Sequence, residues 1–347
     1  MVLVNCSGRD DVYPLLDHAS WHGLTAADLV FPSFLVLIGV SAVLSAAVRR
    51  AQGEPRAETA RRALLRAAGL FAFGLLVNLV LFREAGGLRW PGVLQRIAVC
   101  SLGISGILLL DAPALEGGAA ALLLLVYWLL MTRVPVPGYG AGVLTPEGNL
   151  EGWLDRMILG GHIFAPWGDQ EGLLSTLPAL ATSLLGVGAG RIILRYGRGV
   201  RTASAIGAAG LLLAMLGWIW GRTFPLNKHL WTSSYALLTG GLTLAGLAGS
   251  ILLIDERPAK WALPLEAMGR RALMLYAVSG LLYGIQEFIS VRLPDGSAGN
   301  IKLWIMATVF DPWLSSKTAS LAYALAFTAL CAAFAVVYDA RHKQGYS

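Results

Sequence analysis

The chain has 347 residues, 56% of them hydrophobic and only 14% charged, and its mean hydropathy is +0.63. A soluble domain carries about 25% charged residues, so composition excludes one; apolar runs that are continuous rather than alternating exclude a β-barrel. The formal charge of +6 does not signal nucleic acid, because the basic residues fall between hydrophobic segments, where they set topology.

Apolar stretches at about 28–48, 60–82, 92–110, 117–133, 173–194, 203–221, 231–254, 268–290 and 319–339 predict nine spans, with a stub at residues 1–4. Segment 301–314 is apolar but short and holds Asp311-Pro312, so an interfacial or re-entrant piece is expected there. The fold class that follows is all-α: one polytopic integral membrane bundle over residues 1–347, with about nine to eleven transmembrane helices. Six Arg in 49–66, four in 191–201, four Lys or Arg in 255–271 and two in the tail after 339 fall on alternate connections. The positive-inside rule makes that side, and the C-terminus, cytoplasmic.

Loops 5–27, 83–91, 134–172, 222–230 and 291–318 then face outward, carrying four of the five histidines and most of the tryptophans. Trp faces suit sugar rings, although anchoring at the outer interface accounts for about half of them. Cys6, Cys100 and Cys331 are odd in number, and two lie inside apolar runs, so no disulfide framework is read.

His18 and His22 stand four residues apart and would share a face if that segment were helical. Zinc requires further ligands, so no metal is expected; a neutral imidazole at a membrane mouth suits a general base or an acyl-accepting nucleophile. Asp28 opens the first span, where it either favours the helix N-terminus or orients a histidine or binds an amine. Arg96 starts another span, and an arginine there faces the bundle interior or a cavity. Asp155, Asp169 and Glu171 end the longest outer loop, and Asn227 and Lys228 lie in a polar outer turn. The three acids could hold sugar hydroxyls or an ammonium, or belong to a solvated loop.

Five stretches carry a family resemblance: Met1-Val-Leu-Val-Asn5, His18-Ala-Ser-Trp-His-Gly-Leu-Thr-Ala-Ala-Asp-Leu-Val-Phe-Pro32, Trp90-Pro-Gly-Val-Leu-Gln-Arg96, Asp169-Gln-Glu-Gly172 and Pro225-Leu-Asn-Lys-His-Leu-Trp231. In this order they resemble the transmembrane acyltransferases related to heparan-alpha-glucosaminide N-acetyltransferase, including the bacterial NagX-like branch. The resemblance implies transfer of an acetyl group from cytoplasmic acetyl-CoA, as co-substrate, to the amine of a terminal glucosamine-type sugar across the membrane. It implies His18 as the catalytic histidine and Asn5 as its nearby asparagine; beside them Asp28 is read as fixing the imidazole tautomer. Asp169, Glu171, Asn227 and Lys228 become acceptor-side or gate residues, and Arg96 a ligand-binding or structural charge. Compared with the family the first helix is expected to be truncated. Expected partners are acetyl-CoA, an amino sugar or glycan, and the lipid bilayer, with a homodimer left open; a bacterial inner membrane suits the composition. The alternatives are a sugar or cell-wall-precursor transporter and an O-acetyltransferase of a surface glycan.

Overall fold

The computed structural model describes residues 1–81, 88–255 and 260–343. Its α-helices, in chain order, are α1 (Val2–Asn5), α2 (Val30–Ala51), α3 (Arg56–Leu81), α4 (Val93–Leu109), α5 (Pro113–Arg133), α6 (Leu150–Leu159), α7 (Thr176–Tyr196), α8 (Val200–Trp220), α9 (Ser233–Ser250), α10 (Leu263–Arg270), α11 (Ala272–Phe288), α12 (Ile301–Ile305) and α13 (Ser316–Lys343). Two small antiparallel hairpins interrupt them, Pro135–Val136 with Gly140–Ala141 and Ser290–Arg292 with Ala298–Asn300. The protein is a polytopic helical membrane protein. Seven helices among the described residues are long and apolar enough to cross a bilayer, and each of the nine expected spans holds a helix. The two outside the seven, α4 and α11, have 17 residues each, the lower end of the range that spans.

The chain divides into two compact units, one formed by residues 19–24 and 28–257, the other by 1–18, 25–27 and 258–347. In the larger unit α8 lies along α9 and α2 along α7, and both contacts depend on glycine. A Cβ at Gly39 would lie 2.0 Å from the Ser183 carbonyl, and one at Gly217 would lie 2.3 Å from the Leu238 nitrogen. Small residues at such crossings let membrane helices approach closely. Val36, Val40, Ala189, Ile206, Leu244 and Ala248 fill the core between these four helices.

The two ends of this unit differ. At one, Arg50 pairs with Asp111 and donates to the Leu108 carbonyl at 2.7 Å, Arg191 chelates Glu116, and Arg198 lies 3.9 Å from Asp255. Two of the basic connections expected to share a face, 49–66 and 191–201, thus share one end of this unit. At the other end α6, the first hairpin and the turn before α9 close over Tyr127, Met131, Phe224 and Leu230. Part of the basic stretch 255–271, residues 256–259, lies outside the described residues.

In the smaller unit α13 packs on α10 and α1, with Val2, Cys6, Leu275, Phe327 and Cys331 between them. The apolar segment after residue 300 is α12 continued by a wider π-turn over Met306–Phe310. Lys302 donates to Glu287 at 2.6 Å and to the Tyr283 hydroxyl at 3.0 Å, and that hydroxyl donates to the Ser7 carbonyl at 3.0 Å.

Candidate functional site

The chain enters α2 through a 3-10 turn, Ala27–Leu29, which carries Asp28 fully buried at the helix's positive end. One carboxylate oxygen of Asp28 lies 3.5 Å from the Lys228 ammonium and the other accepts from the Ala19 N–H at 3.2 Å. The Tyr235 hydroxyl, from α9, donates to the Asp28 carbonyl at 2.6 Å. Burial pushes the Lys228 pKa down, while Asp28 and then Glu171 oppose that shift.

Lys228 is held by a turn whose own chemistry is local. The Asn227 side chain accepts from the Leu230 N–H at 2.8 Å, a side-chain mimic of a backbone turn, and the Asn227 N–H donates to the Thr232 hydroxyl. Trp231 closes the turn at φ 47°, a left-handed conformation uncommon for a bulky residue. Its ring is clamped: the indole N–H donates to Thr182 at 3.1 Å, and Phe31 and Tyr235 pack edge-on. The Tyr127 hydroxyl donates to the Leu230 carbonyl. Strain that surroundings over-determine in this way is typical of ligand clamps and active sites.

Around the Asp28–Lys228 pair stands a wall of rings. Asn227 Nδ2 lies 3.3 Å from His22 Nδ1, and burial lowers the His22 pKa. His229 stacks on Trp21 at 5.2 Å, with Trp167 edge-on to both. The Trp21 indole donates to the Leu144 carbonyl at 2.8 Å, fixing that plane. Residues 14–26 contain no helix, so the shared helical face considered for His18 and His22 does not form.

Asp169 and Glu171 converge on Arg89, which the sequence offered no periodic signal to find. Arg89 donates to both Asp169 oxygens, at 2.8 and 2.5 Å, and to Glu171. Burial alone would lower its pKa, but Glu171 and Asp169 hold the guanidinium charged. Asp169 also accepts from the Phe164 and Glu171 N–H groups, so it ties its loop together. Asp155 accepts from the N–H groups of Asp169 and Leu173, and burial lifts its carboxyl to about 6. Its neighbour Glu151, buried beside the Tyr127 hydroxyl, is raised well above the ordinary value.

Arg96 lies in the first turn of α4, 2% exposed. It donates to the Gly172 carbonyl at 3.0 Å and to Ser175, and its guanidinium carbon sits 5.2 Å from the Trp231 ring centroid. Its Nε and Nη1 have no hydrogen-bond partner among the described residues. The larger unit thus brings together Asp28, Asn227 and Lys228, and binds Asp169 and Glu171 through Arg89. Asn5 and His18 belong to the smaller unit, where both side chains are exposed; Asn5 ends α1, and the His18 N–H donates to the Asp17 carboxylate at 2.8 Å.

Residues 13–223 match the family model described as "Heparan-alpha-glucosaminide N-acetyltransferase, catalytic". The chain belongs to the heparan-alpha-glucosaminide N-acetyltransferase family. The enzymes of that name from Homo sapiens and Mus musculus are each 30% identical to it over 314 residues. That similarity covers 73% of this chain and 46% of theirs, so the chain spans about half the length of the curated relatives it matches. His18, Asp28, Arg96, Asp169 and Glu171 lie inside the family match, and Asn5, Asn227 and Lys228 lie outside it.

Proposed function

We propose that this protein is a membrane acetyltransferase that moves an acetyl group from acetyl-CoA to the amine of a glucosamine-type sugar. The observation that carries the reading is the family match over residues 13–223, which contains the His18 motif. The relatives are named for acetyl transfer to a glucosaminide, and the wall of Trp21, Trp167 and His229 beside a buried carboxylate suits a sugar that bears an amine.

In the proposed chemistry the acceptor's ammonium gives a proton to the His18 imidazole, and the neutral amine attacks the thioester carbonyl. The carbon–sulfur bond breaks, and the CoA thiolate leaves with the proton that the newly acylated nitrogen sheds. In the two-step variant His18 first receives the acetyl group and then passes it to the amine. Asn5 donates a hydrogen bond to the thioester oxygen as negative charge develops on it. Lys228 and Asn227 bear on the acceptor, with the Asp28 carboxylate opposing the effect of burial on the Lys228 ammonium. Asp169 and Glu171 support the acceptor side by fixing their loop through Arg89. Arg96 anchors the same loop at Gly172.

The basic end of the larger unit is assigned to the cytoplasm, where the donor is present, and the Asp28–Lys228 end to the opposite face. Oriented liposomes test this with labelled acetyl-CoA on one side and glucosamine, or its hydroxyl counterpart glucose, on the other. Acetylation of glucosamine alone, requiring donor at the basic end, is the expected result. Acetylation of glucose in competition would change the acceptor class to a hydroxyl.

A further inference from the structure

Between the membrane-spanning helices α5, α7, α8 and α9 runs a cleft of about 550 Å³, separate from the residues assigned above. Cavities that hold small ligands range over about 300–1,000 Å³. Its wall is aliphatic, with Trp220 towards one end and the Arg191–Glu116 pair at the other. Between Ile206 and Trp220, α8 lines it over about 21 Å at 1.5 Å per residue. That is more than half of the ~30 Å hydrocarbon core of a bilayer, the reach of a chain entering from one leaflet.

Two glycines in the wall have no packing reason. A Cβ at Gly117 or Gly188 would meet nothing within 4 Å among the described residues, whereas Gly39 and Gly217 allow helices to touch. Glycine weakens a helix relative to alanine, and at these two positions what it leaves in return is room.

The charged end is strongly basic. Arg191 pairs with Glu116 and stands 3.7 Å from Asp111, which Arg50 also holds and on which Arg56 acts. One turn further, Arg195 at the end of α7, Arg198 on the connection and Arg201 at the start of α8 are exposed. Arg195 and Arg201 lie 5.3 and 4.2 Å from the Tyr196 ring centroid, and Arg198 lies 3.9 Å from Asp255. Six arginines thus face three carboxylates.

We propose that this cleft binds an anionic phospholipid, its acyl chain along Gly117 and Gly188 and its phosphate among the arginines of the α7–α8 connection. The excess positive charge calls for an anionic occupant, and the aliphatic wall for one that carries an acyl chain. A neighbouring copy lying in the same orientation would bring its own basic end against this one, and an uncharged lipid would leave the charge unanswered.

The test uses the full chain in detergent, exchanged into equal amounts of phosphatidylglycerol and phosphatidylcholine with identical chains, with bound lipid counted by native mass spectrometry. The expected result is one retained phosphatidylglycerol, preferred at least about tenfold, as two or more unmatched charges near a membrane surface imply. Glycerol phosphate without chains should not be retained. Gly117→Leu/Gly188→Leu fills the cleft and should lower retention at least about tenfold with elution and helix content unchanged. Arg195→Gln/Arg198→Gln/Arg201→Gln, all at exposed side chains, should abolish the preference while leaving bound phosphatidylcholine and helix content unaltered. Equal retention of the two lipids by the wild type, undiminished retention in the leucine variant once it is seen to fold, or a cross-linked dimer that covers Gly117 and Gly188 would each overturn the proposal.

Discussion

Replacing Lys228 by Met tests whether the buried pair at the head of α2 organises the site. At an effective dielectric of about 20, opposite charges at the observed 3.5 Å attract by about 5 kcal/mol. Breaking a buried pair usually costs about 3–5 kcal/mol because one charge is left uncompensated. The lower figure, about 3 kcal/mol, is expected here, because the Ala19 N–H and the positive end of α2 still favour the Asp28 carboxylate. Asp28→Asn in the Lys228→Met background removes the stranded charge and should restore about 2 kcal/mol of that loss. The assay is urea unfolding in mixed micelles, followed by tryptophan fluorescence, for both single variants and the double variant. If each single change costs under about 1 kcal/mol and the two add, the pair carries no coupling and the reasoning is refuted.

Asp155 gives a pH signature. Its carboxyl titrates at about 6 in the folded chain against an ordinary value of 3.8, so between those values the folded state holds a proton that the unfolded state has released. Stability should fall as pH rises from about 4 to about 6, by on the order of 3 kcal/mol, and Asp155→Asn should flatten that slope in unfolding curves taken at each pH. Gly39→Ala places a methyl against the Ser183 carbonyl and should cost about 3 kcal/mol or more, seen as lost thermal stability in micelles, with Gly188→Ala as a near-neutral control. Arg96→Met frees the Gly172 carbonyl and Ser175, and should loosen the 169–176 segment to proteolysis while α4 stays helical by circular dichroism.

The spans were legible because twenty-residue apolar runs leave few alternatives, and the basic connections fixed which ends belong together. Helix α6 was not, although Asn149 caps it by accepting from the Gly152 N–H. Its hydrophobic pattern misleads: Met157 and Ile158 face outward, while Glu151 and Asp155 are buried. Those acids are tolerated inside because Tyr127 and two backbone N–H groups meet them, partners that come from other parts of the chain. Arg89 was hidden for the same reason, since its partner Asp169 lies 80 residues away. Asp28 and Lys228 could each be named from the sequence, but not as a pair, because their contact depends on the strained turn at Trp231. Resemblance rather than spacing singled out His18, and the i, i+4 spacing to His22 fell on irregular backbone.

The most direct test of the central claim is acetyl transfer from radiolabelled acetyl-CoA to glucosamine by the purified protein in liposomes, with wild type beside His18→Ala. The account predicts transfer by the wild type and at least about a hundredfold less by a variant that elutes and unfolds as the wild type does. No transfer to any amino sugar by a stable wild type, together with uptake of the sugar itself, would contradict it and make the protein a transporter.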